Sequence, residues 1–311
     1  MGKDLDSLQA SRDLRSEIKM KYGFIPTSII EVEKQSAQSK DINAEKRNYY
    51  STTNVKLGDV ADTIFDVSGQ SCRGKGGALS RYPQNIGRYL VKMYSNEGDI
   101  VLDPFAGHNS RMELVYKLGR NYVGYDISHT FMEANRKEAK ELQGKGSQTI
   151  LFNQSNIITL IEKDSRELLE SNIDMCLTSP PYYDIEWYGD ESEQLGKCKS
   201  YEDFIDSITI VLRRCYNALK PNKFCCWSVN DFRRDGKFVP YHSDIIQAYL
   251  KIGFKLHDIV ITDLGYPIGA AFASQLEEQK RTAKRHEYTI IGKKQPPIAL
   301  EKSKRNLQVA R

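Results

Sequence analysis

The chain has 311 residues, is 40% hydrophobic and 28% charged, and carries a formal net charge of +4, values ordinary for one large or two smaller soluble globular domains. No apolar stretch approaches the ~20 residues of a membrane span. Six cysteines, at 72, 176, 198, 215, 225 and 226, form no C-x-x-C pair and no cluster with zinc spacing.

Cys176, Cys225 and Cys226 fall in apolar runs and read as small buried hydrophobes. The opening MGKDLDSLQASRDLRSEIK is charged throughout, without a signal-peptide core. A reducing, cytoplasmic setting is therefore expected. From Lys280 to Arg311 there are ten Lys or Arg against two acids, Glu287 and Glu301. A basic segment of this kind suits a phosphate backbone or serves as a solvated end.

Residues 1–80 read as a helical, partly flexible N-terminal extension. Leu5, Leu8, Leu14 and Ile18 share a helical face, and Ser28-Ile-Ile-Glu31 has the form of a capping box opening a second short helix. The run GQSCRGKGG at 69–77 stops one residue short of a phosphate-binding loop. It has Gly-Lys, then Gly76 where a magnesium-holding hydroxyl is needed. It reads instead as a mobile loop near a ligand.

Strands and helices then alternate. A helix is expected over Pro83–Tyr94, a strand over Asp99–Asp103, a helix over Ser110–Leu118 and a strand over Asn121–Asp126. A helix follows over Thr130–Leu142, then a strand at Thr149–Asn153, a short helix near Ser165–Glu170 and a strand at Ile173–Thr178. Tyr201–Leu219 is a strongly amphipathic helix stopped by Lys220-Pro221-Asn222. Strand Phe224–Val229, helix Ser243–Lys251 and strands Lys255–Thr262 and Tyr288–Gly292 close the pattern. This is an α/β chain with a mostly parallel, doubly wound sheet and an antiparallel pair at one edge.

Ligands of such sheets bind beyond the carboxyl ends of the strands, near the switch in strand order. Three strand ends qualify. The first carries Asp103, Pro104, Phe105, Ala106 and Gly107, where Gly107 admits close backbone approach; the alternative is a plain strand-to-helix turn. The second carries Asp126 and Ile127. An acid about 20 residues past a glycine loop suits the hydroxyls of a ribose, although Asp also caps helices. Without a G-x-G-x-x-G run, the ligand suggested is a nucleoside lacking a pyrophosphate. Asp164 and Ser165 are placed to meet an adenine amino group or, equally, to cap the short helix.

The third end is Thr178-Ser179-Pro180-Pro181-Tyr182. Two prolines cannot continue a central strand. In this order, Asp103-Pro-Phe-Ala-Gly107, Tyr125-Asp-Ile-Ser128 and the Ser-Pro-Pro-Tyr tetrad resemble the amino methyltransferases of DNA. That resemblance covers roughly residues 81–293. It implies a Rossmann-like methyltransferase fold over 81–295, a basic tail at 296–311 and S-adenosyl-L-methionine as cofactor, with no metal. It further implies transfer of a methyl group to N4 of cytosine or N6 of adenine. Arg81-Tyr82-Pro83-Gln84 matches the element that meets the methionine end of the cofactor.

The chemistry fits these residue types. Ser179 and the Pro180 carbonyl accept hydrogen bonds from an exocyclic amino group, and Tyr182 gives a flat surface to a flipped base. Ser rather than Asp before Pro-Pro-Tyr leans toward cytosine. Chemistry at ring carbon 5 is disfavoured, because the chain has no Pro-Cys pair.

The implied partner is double-stranded DNA. A cognate restriction endonuclease is a candidate partner, no membrane is involved, and the state is monomer or homodimer. Candidate DNA contacts are Tyr183, Trp187, Lys280, Arg281, Lys284 and Arg285. Sequence reading falls to residues 1–80, to Asp184–Ser200 or to Leu264–Arg285. The chain departs from the family's Phe-x-Gly-x-Gly loop, with His108 and Asn109 after Gly107. Asn stands where unusual backbone angles are expected. The alternatives are the same chemistry on RNA or a protein amide, and, of another class, an inactive DNA-binding module with a decayed cofactor loop.

Overall fold

The alternation expected from Pro83 onward is what the computed structural model shows. It describes residues 16–21, 26–31, 73–74, 77–78, 82–145, 156–185, 191–264 and 273–296. The expected strand at Thr149–Asn153, most of the 69–77 loop, Trp187 and the 297–311 tail lie outside the described residues.

In chain order the elements are β1 (Ile29–Glu31), β2 (Arg73–Gly74), β3 (Gly77–Ala78), α1 (Gln84–Tyr94), β4 (Ile100–Asp103), α2 (Ser110–Lys117), β5 (Asn121–Asp126), α3 (His129–Lys145) and β6 (Ile158–Glu162). A 3₁₀ turn at Ser165–Glu167 leads to β7 (Ile173–Thr178), and a second at Leu195–Lys197 leads to α4 (Tyr201–Ala218) and β8 (Leu219–Val229). The chain continues through β9 (Phe232–Arg234), β10 (Lys237–Val239), α5 (Tyr241–Ile252), β11 (Phe254–Asp263), α6 (Ala273–Glu278) and β12 (His286–Lys294).

Eight strands form one sheet in the order β1-β11-β12-β8-β7-β4-β5-β6. Within it, β12 runs antiparallel to both β8 and β11; the other pairings are parallel. The chain moves outward from β4 to β5 and β6, then returns to the other side of β4 as β7. That reversal opens a crevice between the ends of β4 and β7, as strand-order switches do.

Burial follows the sequence pattern. All six residues of β7 are buried, as expected of a central strand covered on both faces. In α4, Phe204, Ile208, Val211, Leu212 and Cys215 make one buried stripe, and the Ser200 hydroxyl caps the helix by accepting from the Asp203 N–H at 3.0 Å. Full burial of each such apolar side chain contributes about 1.5–3 kcal/mol. Cys176, Cys225 and Cys226 are fully buried, as their runs suggested, and so is Cys215.

Two expectations need correction. The capping-box reading of Ser28–Glu31 is wrong: Ile29–Glu31 is strand β1, paired parallel to β11 with Ile29 opposite Ile261. Two adjacent β-branched isoleucines suit a strand, and β1 covers what would otherwise be a bare edge of β11. Lys220-Pro221-Asn222 does end α4, but it lies inside β8 rather than before it. Pairing with β7 jumps from Ile173–Leu219 to Met175–Phe224, so Pro221 sits in a bulge where no ladder N–H is needed, and Asn222 has φ 66°. Finally, β6 and the β9–β10 hairpin were not anticipated.

Candidate active site

One cleft, with about 990 Å³ of empty space including its open mouth, lies over the β4–β7 reversal. Its walls come from the ends of four parallel strands. Pro104, Phe105, Gly107 and His108 follow β4, Asp126 and Ile127 close β5, Asp164 and Ser165 follow β6, and Ser179–Tyr182 follow β7. Glu193, Gln194 and Leu195 complete one side, with Arg111 and Phe131 from the helices and Glu287 from β12. The structure thus brings together Pro104, Phe105, Gly107, Asp126, Ile127, Asp164 and Ser165 with the whole Ser-Pro-Pro-Tyr tetrad.

The loop after β4 is built around Asp103, which is fully buried. Its carboxylate accepts from Arg111 Nε at 2.7 Å, Tyr122 OH at 2.9 Å, Thr178 Oγ1 at 2.6 Å and the Phe105 N–H at 3.2 Å. Those four donors fill its acceptor capacity and clamp β4, β5, β7 and α2 together. Asp103 therefore lies beneath the cleft rather than in its wall. Arg111 also donates to the carbonyls of Phe105 and Ala106. Burial works against its charge, but the adjacent Asp103 holds its pKa above the ordinary value. Burial and the same carboxylate push the Tyr122 phenol well up.

Gly107 has φ 52°, a left-handed conformation that favours glycine. Both of its peptide groups are held: its N–H donates to Asp126 Oδ2 at 2.8 Å, and its carbonyl accepts from Asn135 Nδ2 at 2.7 Å. Asp126 Oδ1 accepts from the Ser128 N–H at 2.8 Å. Burial pushes the Asp126 carboxyl up to about 6, against the lowering effect of those two N–H groups. Asn109, where the family pattern has a second glycine, has φ −59° and ψ −9°. That is ordinary right-handed backbone, and it begins α2. His108 lines the cleft and its Nδ1 lies 3.1 Å from Ser110 Oγ.

Of the other expected cofactor residues, Tyr82, Pro83 and Ala106 are buried behind the wall, and the Tyr82 hydroxyl is paired with Ser228 Oγ at 2.9 Å. Asp164 caps its 3₁₀ turn and pairs with Arg166 at 2.6 Å while still facing the cleft. The Ser165 hydroxyl donates to the Pro104 carbonyl, tying the β6 end to the β4 loop.

In the tetrad, Tyr241 OH donates to the Pro181 carbonyl at 3.3 Å. The Tyr182 ring sits edge-on to Phe232 and Tyr241, at 6.0 and 5.9 Å. Tyr182 is thereby packed in an aromatic cluster and also lines the cleft.

The expected DNA contacts divide. Tyr183 is half-buried against Tyr201 and Phe204, with ring centroids 5.8 Å away in each case. Arg285 is bound to Asp263 at 2.6 Å. Lys280 is exposed, the Lys284 ammonium is partly desolvated, and burial lowers its pKa to about 8 against the pull of Asp231 and Glu287, while Arg281 reaches the Gly236 carbonyl at 3.4 Å. Sequence reasoning missed Arg111, Thr178 and Tyr122, whose importance comes from Asp103, and it missed the Glu193–Leu195 wall.

The doubly wound sheet, its reversal and this cleft define a nucleoside-binding α/β protein of the Rossmann-like methyltransferase type. The sequence profile of the DNA methylase family (N6_N4_Mtase) matches residues 19–137 and 173–309. The chain belongs to that family, whose methyl donor is S-adenosylmethionine. It is similar to "Type II methyltransferase M.MthZI" of Methanothermobacter thermautotrophicus, at 23% identity over 175 residues, covering 56% of this chain and 49% of that protein. It is also similar to "Type II methyltransferase M.MjaVI" of Methanocaldococcus jannaschii, at 29% over 113 residues, covering 36% and 56%. The chain spans about half the length of these curated relatives. Among solved structures it resembles TrmN from Thermus thermophilus, with TM-score 0.45 and 15% identity over 68% of this chain and 49% of that one. Among the described residues, no helix is long and apolar enough to cross a membrane.

Proposed function

We propose that this chain methylates the exocyclic amino group of a base in double-stranded DNA, with N4 of cytosine favoured over N6 of adenine. The observation that carries this reading is the meeting of Ser179–Tyr182 with Phe105, Gly107 and Asp126 in one cleft. Residues 81–295 form the catalytic unit, to which β1 of the N-terminal extension adds a strand.

The residues fit the cofactor. Four carboxylates, from Asp126, Asp164, Glu193 and Glu287, face the cleft, while Arg111 lies in the wall bound to Asp103. Such a lining favours a cationic ligand. Asp126 would hold the ribose hydroxyls. Phe105, Ile127 and Leu195 offer apolar surface to a purine. When bound, S-adenosylmethionine supplies an electrophilic methyl group. The chain supplies the geometry on the other side. Ser179 Oγ and the Pro180 carbonyl accept the two N–H groups of the target amine and turn its lone pair out of the ring. Tyr182 supports the flipped base, where stacking of about 1–3 kcal/mol offsets part of the unstacking energy. Orientation carries the rate. The relatives' type II names support a role beside a restriction endonuclease.

The test is transfer of labelled methyl from S-adenosylmethionine to mixed-sequence duplex DNA, followed by digestion and mass spectrometry of the nucleosides. N4-methylcytosine is expected. N6-methyladenine would keep the class and reverse the base. No methylated nucleoside would refute the reading.

A further inference from the structure

The β9–β10 hairpin has no part in the cofactor cleft, yet it stands beside the tetrad. Phe232 at its root is buried against Tyr182, Tyr201 and Tyr241, at 6.0, 6.1 and 6.0 Å. Arg234 is bound to Asp184, two residues past Tyr182. The turn is Asp235-Gly236, with φ 50° and 78°. Positive φ at both positions is the geometry of a tight two-residue hairpin turn.

Side-chain alternation then sorts the faces. Phe232 and Val239 are paired and face the core. Arg233 and Phe238 are paired on the outer face, where the guanidinium lies 5.3 Å from the ring centroid. Phe238 is nonetheless 54% exposed. A large aromatic ring held out to solvent under a cation is a contact surface rather than core.

The surroundings are cationic. Arg281 donates to the Gly236 carbonyl and braces the turn against the 280–285 segment. Residues 232–239 and 280–285 hold seven Lys or Arg and one acid, Asp235. Asp184 takes Arg234 and Asp263 takes Arg285. Arg233, Lys237 and Lys280 are exposed around the ribbon, Arg233 beside Phe238 and Lys237 on the face it shares with Arg234.

We propose that the β9–β10 hairpin, braced by residues 280–285, is the element that grips duplex DNA beside the flipped base. Phe238 and Arg233 make its groove contact, and the lysines meet phosphates. The proposal rests on the DNA reading above. A two-stranded ribbon fits the major groove, where an aromatic ring makes apolar contact with a thymine methyl at a base edge, and spaced cations match a polyanion.

The test uses the full chain and a fluorescent duplex, with anisotropy measured from 50 to 200 mM salt alongside methyl transfer. Lys237→Ala/Lys280→Ala should flatten the log–log salt slope by about 1.8, from ~0.9 per phosphate contact. Phe238→Ala should weaken binding roughly 5- to 150-fold, the range for loss of one base contact in a duplex. Both variants should bind S-adenosylhomocysteine as the wild type does, which shows that they fold. If the wild type methylates duplex DNA and the variants bind it unchanged, the hairpin proposal falls and the function stands. If the wild type binds and methylates only RNA, or binds no nucleic acid, both fall.

Discussion

With Asp126 on the ribose, as proposed, cofactor affinity should be a function of pH. Its carboxyl is raised to about 6, chiefly by burial, and the ribose hydroxyls are donors that need the ionised form. At pH 5 about one carboxyl in eleven is ionised, so affinity should be about ten-fold weaker than at pH 7.5. Stability without ligand moves the other way. A carboxyl whose folded pKa lies above its unfolded one favours the fold most below pH ~4, and loses that contribution as pH rises through about 6. The full swing is about 3 kcal/mol. Hydroxyl donors would offset that penalty in the complex. The assay is calorimetric titration with S-adenosylhomocysteine from pH 5 to 8, on wild type and Asp126→Asn. The variant should bind more weakly and lose the dependence between pH 5 and 7. A flat wild-type profile refutes the assignment. So does a slope that survives in Asp126→Asn, because the titrating group would then be another, with His108 in the same wall the first to test.

Ser179→Ala should lower kcat on the order of 10²-fold, as loss of one positioned hydrogen-bonding group does, while the cofactor Kd in the same titration stays within about two-fold. Arg111→Met leaves Asp103 buried without its cation and should destabilise the fold by about 3–5 kcal/mol, read from the midpoint of urea unfolding. Gly107→Ala imposes a side chain at φ 52° and should cost about 1–2 kcal/mol. It should also weaken the cofactor by moving the N–H that Asp126 holds, which thermal unfolding with and without S-adenosylhomocysteine would separate.

What was legible in the sequence was local. β5 and β7 begin and end at the residues expected, and β7, buried on both faces, announces itself in composition. The tetrad and Asp126 were legible because strand ends on one edge of a parallel sheet converge. Distant pairing was not legible. Ile29–Glu31 carries a local helix-start pattern, and its strand identity is decided by Ile261, 232 positions away. Asp103 looked like a ligand contact because its partners Thr178 and Tyr122 lie 75 and 19 residues on. The β9–β10 hairpin is a different case. Its Asp-Gly turn is a strong hairpin signal, legible in principle and passed over between two better-defined elements.

The His108-Asn109 departure bears on whether the site is active or decayed. A glycine at 109 would matter if the loop needed a left-handed residue there. It does not: the single left-handed position between Asp103 and Ser110 is Gly107, and Asn109 already has helical angles. The loop's shape is set from outside itself. Asp126 and Asn135 hold the two sides of Gly107, Arg111 holds the carbonyls of Phe105 and Ala106, and Ser165 holds Pro104. A decayed site loses the reason to keep buried polar clamps of this kind, because each destabilises the fold once its partner drifts. Here every clamp around the turn is in place. The substitution therefore changes what the cleft wall presents, an imidazole at position 108, and leaves intact the turn that Asp126 holds.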